Sequence, residues 1–355
     1  MVMTRNRNAK FVKRAGPAFT FIALGTTLVA AVIVSLAIGR YPIPVARALR
    51  ILIALAIPGT QPDGPAWDEE ERIIIQIVRL PRIAVAALAG AGLALSGAVL
   101  QGLFRNPLVA PQIIGISSGA SFGGVLAIMI GLSSYGVVGL AFAFGILSMI
   151  LVFGLSRLAG GTGILSVVLS GIIVGGMFSA FVGLMQYLAD PDKKLPGIVY
   201  WLLGSFVGAD WTKAAVIGFP TVCAGAGLLL LRWRINLLSL GDDDASALGV
   251  PVDVLRWVCL GLVSLIVAAQ VSVSGGIGWV GLVIPHFARM LVGPDHRRLL
   301  PASAIMGAIY LLLMDDLART MVSQEIPIGI LTAIVGTPIF GFMFWKTQAK
   351  GWSHD

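Results

Sequence analysis

The sequence has few charged residues for its length. Of 355 residues, only 12% are Asp, Glu, Lys or Arg, and 57% are apolar; a soluble domain contains about 25% charged residues. This shortage of charge excludes an ordinary soluble fold and predicts an all-α, polytopic membrane protein. The excess of Lys and Arg over acids does not indicate a nucleic-acid partner, because basic residues cluster at the ends of apolar runs, where they determine membrane topology.

The sequence also lacks the residue groups that cofactor binding and catalysis require. Cys223 and Cys259 lie apart, each inside an apolar run, and His286, His296 and His354 do not cluster, so we expect no metal site built by this chain. A GxxxxGK[ST] motif is missing, so ATP cannot bind to a P-loop of this chain. An intramembrane enzyme would need a nucleophile and a base across the spans, and no Ser or Asp pairs with a His in this way.

Apolar runs long enough to cross a bilayer predict about ten transmembrane helices, since a span needs about 20 residues. Residues 1–18 form a basic segment and 19–350 the ten-helix domain. The first run is too long for a signal peptide, so we expect both termini in the cytoplasm of a multi-pass inner-membrane protein. The runs are Phe19–Gly39, Ile83–Phe104, two within 106–156 that turn near 133–135, Leu158–Ala189, Ala214–Leu231, Val258–Val273, Ile277–Val292, Leu299–Met314 and Ile326–Trp345.

Two segments between or within these runs carry motifs. The longest cytoplasmic loop, 232–257, contains LGDDDASALG, which predicts a short helix because acidic residues suit a first helical turn and Gly249 with Pro251 ends it. Gly276, Gly278 and Gly281 match the phosphate-binding pattern GxGxxG. They lie in a membrane run without a βαβ unit, so we interpret them as helix-packing glycines.

The charged residues near the outer ends of the runs allow two interpretations each. Asp315 and Asp316 would be coupling acids in an ion-driven secondary transporter, or they cap the helix end or pair with Arg319. Arg79 and Arg82 flank Pro81 in VRLPRI and would be interfacial anchors, or would dock carboxylates of a soluble partner. From the residues alone, the structural interpretation ranks first for both pairs.

Long motifs in a fixed order give the chain a strong resemblance to the FecCD permeases. They are RLPRIAVAALAGAGLALSGAVLQGLFRNPLVAPQIIGISSGASFGG, LGDDDASALGVPV, SGGIGWVGLVIPHFARMLVGPDHRRLLP, DDLART and EIPIGILTAIVGTPIF, and they cover the chain from about Arg79 onwards. The resemblance implies a vitamin B12 permease-like fold and a permease subunit without enzymatic activity of its own. It implies a homodimer in the membrane with two ATPase subunits, which bind ATP and Mg²⁺, and one substrate-binding protein.

The family pattern also assigns roles to individual residues. It implies that Arg79, Arg82 and Arg319 face glutamates of the binding protein, and that Asn106 and Leu108 lie at the cytoplasmic constriction, opposite the turn at 160–166. It implies a coupling helix, seated on the ATPase, that contains Leu240, Gly241, Asp243, Ala245, Ala247, Leu248 and Gly249. Small residues suit a wide path for a bulky cargo, which predicts that the path is lined by Gly115, Ser117 and Gly119.

The cargo is the part of the function that the sequence resolves least. The resemblance puts an iron chelate first, either a ferric siderophore or haem, with vitamin B12 and molybdate as alternatives. Specificity is expected to reside mainly in the binding protein, so the permease need not recognise its cargo sharply.

Overall fold

The described part of the chain, residues 16–57, 67–159 and 163–351 of a computed structural model, is helical and contains no β-strand. A π-helical turn, Ile74–Arg79, joins α3 to α4, and a 3₁₀ turn, Pro111–Ile114, precedes α5. The helices are α1 Pro17–Ala37, α2 Val45–Ala56, α3 Glu69–Ile73, α4 Leu80–Leu103, α5 Ile116–Met129, α6 Ser134–Leu158, α7 Ile164–Leu188, α8 Leu195–Leu202, α9 Trp211–Leu238, α10 Asp242–Ala247, α11 Val252–Ser274, α12 Val280–Val292, α13 His296–Thr320 and α14 Ile328–Gly351.

The predicted set of ten membrane helices is confirmed among these residues. Seven helices are long and apolar enough to cross a bilayer, and three shorter apolar helices, α5, α12 and the described part of α14, complete the set. The segments before α5 and α12 run through irregular backbone, which is tolerated at membrane depth only where protein or a cavity surrounds it. Helix α2 has 12 residues and is too short to span a bilayer.

Helix α4 lies at the centre of the bundle and packs against α9, α11, α12 and α13. Its glycines allow unusually close approach. A Cβ atom on Gly90 would lie 2.0 Å from the carbonyl oxygen of Gly307 in α13, and one on Gly97 would lie 1.8 Å from the carbonyl oxygen of Gly281 in α12. Lipid removes the hydrophobic drive for helix association, so such small-residue contacts hold membrane helices together.

The GxGxxG motif serves backbone packing, as the sequence indicated. The carbonyl oxygen of Gly276 lies 2.6 Å from where a Cβ of Gly204 would stand and 3.0 Å from that of Gly329. The amide of Ile328 donates to Gly204 at 2.8 Å. The motif therefore joins the segment after α8, the loop between α11 and α12 and the start of α14.

Two predicted boundaries differ from the structure. The expected loop 232–257 is shorter in the structure and covers only 239–251, which includes α10, because α9 continues to Leu238 and α11 begins at Val252. Arg232 and Arg234 end the apolar run but not the helix, since Ile235 and Leu238 are fully buried on one face. The sequence also predicts a short helix over Tyr200–Val207, and the structure has this helix earlier, at Leu195–Leu202. The basic segment lies outside the described residues as far as residue 15.

Substitution of a crossing glycine tests the packing of α4. We expect Gly97→Val to prevent assembly of a folded, monodisperse protein, because its side chain would meet the backbone of α12 and overpacking costs about 1–3 kcal/mol or more. Gly154→Val is the control, since its Cβ would have open space around it. The measurement is the yield of monodisperse protein in size-exclusion chromatography; equal yields for the two variants would contradict the packing role.

Candidate functional site

Three arginines predicted to dock a partner come together at one end of the bundle, here called the Arg82 end. Arg82, at the start of α4, donates from Nη2 to Asp315 at 2.8 Å and to Glu325 at 2.8 Å. Its Nε donates to both oxygens of Asp315 at 3.0 Å. The side chain is 12% exposed. The guanidinium fork thus joins α4 to the last turns of α13 and the loop before α14, a strong bidentate arrangement.

The other two arginines close the end of α1. Arg79 donates to the carbonyl oxygen of Leu36, in the last turn of α1, and to that of Tyr41, which follows the helix. The last carbonyl oxygens of a helix have no partner within the helix. Arg319 donates at 2.5 Å to Asp316 and at 2.5 Å to the carbonyl oxygen of Ser35. Cations at the C-terminal end of a helix also complement its dipole.

These contacts decide between the two interpretations of the acidic pair only in part. Asp316 pairs with Arg319, as one interpretation anticipated, and also accepts a bond of 2.7 Å from the Ser35 hydroxyl. Asp315 pairs chiefly with Arg82 instead. Sequence reasoning missed Glu325 and Ser35; only the i,i+3 spacing of Asp316 and Arg319 signalled a contact. Each of the three arginines has hydrogen-bond partners within the chain, and their docking role stays a prediction.

The predicted coupling helix is α10, at the opposite end of the bundle, here called the α10 end. Leu240 and Leu248, on either side of this helix, are 61% and 60% exposed. The carboxylate of Asp242 joins the helix to the rest of the bundle. Asp242 accepts two bonds of 2.9 Å from Arg256 of α11 and lies 3.6 Å from Arg105, just after α4. Of the remaining predicted residues, Gly241 and Ala245 are buried, whereas Asp243, Ala247 and Gly249 are exposed.

The predicted constriction residues follow α4 at the same end. Arg105 has a left-handed backbone, with φ of 50°, which is uncommon for a residue other than glycine. Asn106 then accepts a bond of 2.9 Å from the amide of Leu108, which is 53% exposed. Through the contact of Arg105 with Asp242, this segment is joined to α10, the predicted coupling helix. The opposing turn at 160–166 lies outside the described residues from 160 to 162.

The small residues predicted to line the path pack against neighbouring helices. Gly115 has φ of 81°, and its Cβ would lie 2.6 Å from the carbonyl oxygen of Gly171 in α7. A Cβ on Gly119 would lie 2.4 Å from that of Ser148 in α6. Ser117 is half-buried. The structure gives both glycines a packing role, and the lining role of all three residues stays a prediction.

Comparisons with known proteins give one consistent result. The sequence model of the FecCD transport family matches residues 27–346. The molybdate import system permease protein MolB of Haemophilus influenzae is 47% identical over 332 residues, 93% of this chain and 97% of that protein. A probable iron chelatin transport system permease protein of Helicobacter pylori is 44% identical over 277 residues, 78% of this chain and 83% of that protein. A solved inward-facing structure, assigned to the metal-chelate type of ABC transporter, matches with a TM-score of 0.83 and 45% identity over 93% of this chain and 99% of that one.

The ion pairs at the Arg82 end predict a specific loss of stability. Asp315→Asn leaves a buried arginine with one carboxylate fewer, and breaking a buried pair costs about 3–5 kcal/mol. We expect a lower apparent melting temperature in detergent. The control is Asp192→Asn, because Asp192 is exposed and we expect no change there. Equal melting temperatures for the two variants would refute the stabilising role of the pair.

Proposed function

The chain belongs to the FecCD transport family and is the membrane-spanning permease of an ABC importer, and on this premise we propose that its cargo is a metal compound, with molybdate first. The observation that carries this choice is the identity of 47% to a molybdate permease across almost the whole of both proteins. An iron chelate, which ranks first from the sequence alone, is the second candidate because of the Helicobacter relative. Haem and vitamin B12 stay alternatives.

The energy for transport comes, in this proposal, from two separate ATPase subunits that bind ATP and Mg²⁺. The sequence lacks a P-loop, so the permease needs a partner for hydrolysis. The exposed leucines of the α10 segment, Leu240 and Leu248, supply an apolar surface for that partner. Six of the ten apolar helices precede α10, so α10 lies on the same side as the N-terminus, which we assign to the cytoplasm of a plasma-membrane protein.

The functional unit in this proposal is a homodimer, with the cargo path along its axis and Asn106 and Leu108 at the inner constriction. Support comes from α7 and α14. In α7, Gly176 and Gly183 have open space where a Cβ would stand, as Gly341 has in α14. Small residues on an exposed helix face permit the close approach of another helix in a membrane.

One binding protein delivers the cargo at the Arg82 end in this proposal. The ion pairs at that end constrain docking, because Arg82 already binds two carboxylates of its own chain. A glutamate from the partner must therefore compete with Glu325, which is 20% exposed, before it competes with the more buried Asp315. When one carboxylate replaces another on the same guanidinium, the binding free energy changes little, so the exchange contributes specificity more than affinity.

A substitution on α10 tests the assignment of the ATPase surface. We expect Leu248→Asp to weaken ATPase binding by roughly 10- to 100-fold, since a buried leucine contributes about 1.5–3 kcal/mol. Val322→Asp is the control, because Val322 is 51% exposed at the opposite end and should leave the ATPase bound. The measurement is the amount of ATPase that co-purifies in mild detergent. Undiminished ATPase with Leu248→Asp would refute the assignment.

The cargo is tested by uptake. The complex that co-purifies with the chain is reconstituted in liposomes with its binding protein and ATP, and internal molybdenum and iron are measured by mass spectrometry after supply of molybdate or a ferric chelate. We expect ATP-dependent accumulation of molybdenum. Accumulation of iron alone would move the assignment to the second candidate, and uptake of neither metal would refute both.

A further inference from the structure

A cavity of about 320 Å³ opens at the α10 end, beside the coupling helix. Its walls come from the end of α4, the segment that follows α4, and the facing ends of α9, α12 and α13. The polar side chains that line it are those of Gln101, Arg105, Asn106, Ser239, Arg289 and His296. Two arginines thus line one small cavity, and no carboxylate lines it in the part of the chain that the structure describes.

The positive charge of this cavity is only weakly neutralised. Arg289 donates to the side-chain oxygen of Gln101 at 2.9 Å, and no carboxylate of the described residues lies within 4.0 Å of it. Among the described residues, Arg105 has one carboxylate within 4.0 Å, that of Asp242 at 3.6 Å, and Asp242 also accepts two bonds from Arg256. A cation held near apolar surroundings without a counterion is costly unless an anion joins it.

Asp295, which lies between the lining residues Pro294 and His296, already pairs with another group. Asp295 caps the start of α13 and accepts bonds of 2.8–3.1 Å from the guanidinium of Arg297, and this contact lowers the pKa of Asp295. The same helix start places the positive end of a helix dipole near the cavity; its first two N–H groups, of His296 and Arg297, already donate to the side chains of Asn236 and Asp295. The local electrostatic field therefore favours an anion.

The donors are held in place before any ligand arrives. The amide nitrogen of Gln101 donates to the carbonyl oxygen of Leu282 at 3.2 Å, which turns its oxygen toward Arg289. Arg105 is held in its left-handed conformation, and strained residues of this kind cluster at functional sites. Asn106 uses its oxygen in a turn, which leaves its side-chain N–H₂ group as a donor.

We propose that this cavity binds a tetrahedral oxyanion of the phosphate, sulfate or molybdate class through Arg289 and Arg105, with Asn106 as a further donor. Guanidinium groups suit such anions because they donate in pairs. The anion comes either from solution or from the phosphate of an anionic lipid. Its occupancy draws Arg105 away from Asp242, so it loosens the contact between the 105–108 segment and the coupling helix. This inference does not depend on the cargo.

Equilibrium dialysis of the purified full-length chain in lipid-free detergent, at constant ionic strength set with chloride, tests the proposal with labelled phosphate and molybdate. We expect saturable binding that Arg289→Gln weakens at least about tenfold, the loss of charge-assisted hydrogen bonds. Asp242→Asn should instead strengthen binding, because it removes the competitor for Arg105. A misfolded variant would not bind more tightly. Arg298→Gln is the control, an exposed arginine at the same end.

A second arm separates the two sources of the anion. The chain is placed in nanodiscs of phosphatidylcholine alone or with phosphatidic acid, and labelled phosphate is titrated in. If phosphatidic acid competes with phosphate, and Arg289→Gln abolishes this competition, the site binds a lipid phosphate. If phosphate binds but phosphatidic acid does not compete with it, the site binds a free ion. The proposal is overturned if neither phosphate, molybdate nor phosphatidic acid binds saturably, or if Arg298→Gln weakens binding as much as Arg289→Gln.

Discussion

The close approach of α4 to its neighbours is the contact on which both candidate sites depend. Gly90 and Gly97 place the α4 backbone against α13 and α12 at distances that any side chain would prevent. In lipid, this packing and the hydrogen bonds it permits are the main sources of helix association. Because α4 crosses the whole bundle, it carries Arg82 to one end and the segment after Leu103 to the other. The geometry of each end follows from where the glycines let α4 lie.

The number of helices could be predicted from the sequence because lipid imposes a simple rule. Every backbone polar group at membrane depth must find a partner, so long uncharged runs become helices. The rule fails where helices leave the lipid: α9 continues through Arg232 and Arg234 because its buried face continues. It also cannot tell which small residues pack and which line a path. Gly115 and Gly119 looked suited to a path, and their place between helices depends on α6 and α7, far away in the sequence.

The residues of the candidate site could be predicted where they belong to a sequence motif. The resemblance grouped Arg79, Arg82 and Arg319, and the fold brings all three to one end. Their partners are long-range: Arg82 meets Asp315 and Glu325 more than 200 positions away, which local spacing cannot reveal. The short helix α10 was better predicted, because the acidic first turn and the terminating glycine are local signals.

Helix α4 connects the two ends of the permease, and charged residues form contacts at both ends of this helix. At the α10 end, Asp242 links the coupling helix to Arg105 and Arg256, and so to the ends of α4 and α11. In the proposed coupling, a displacement of α10 must either pull both helix ends or break this carboxylate contact. Arg105 is the weaker of the two links at 3.6 Å, and it immediately precedes the predicted constriction residues. In the proposed coupling, the charge around Arg105 therefore influences how much of the motion of α10 reaches Asn106 and Leu108.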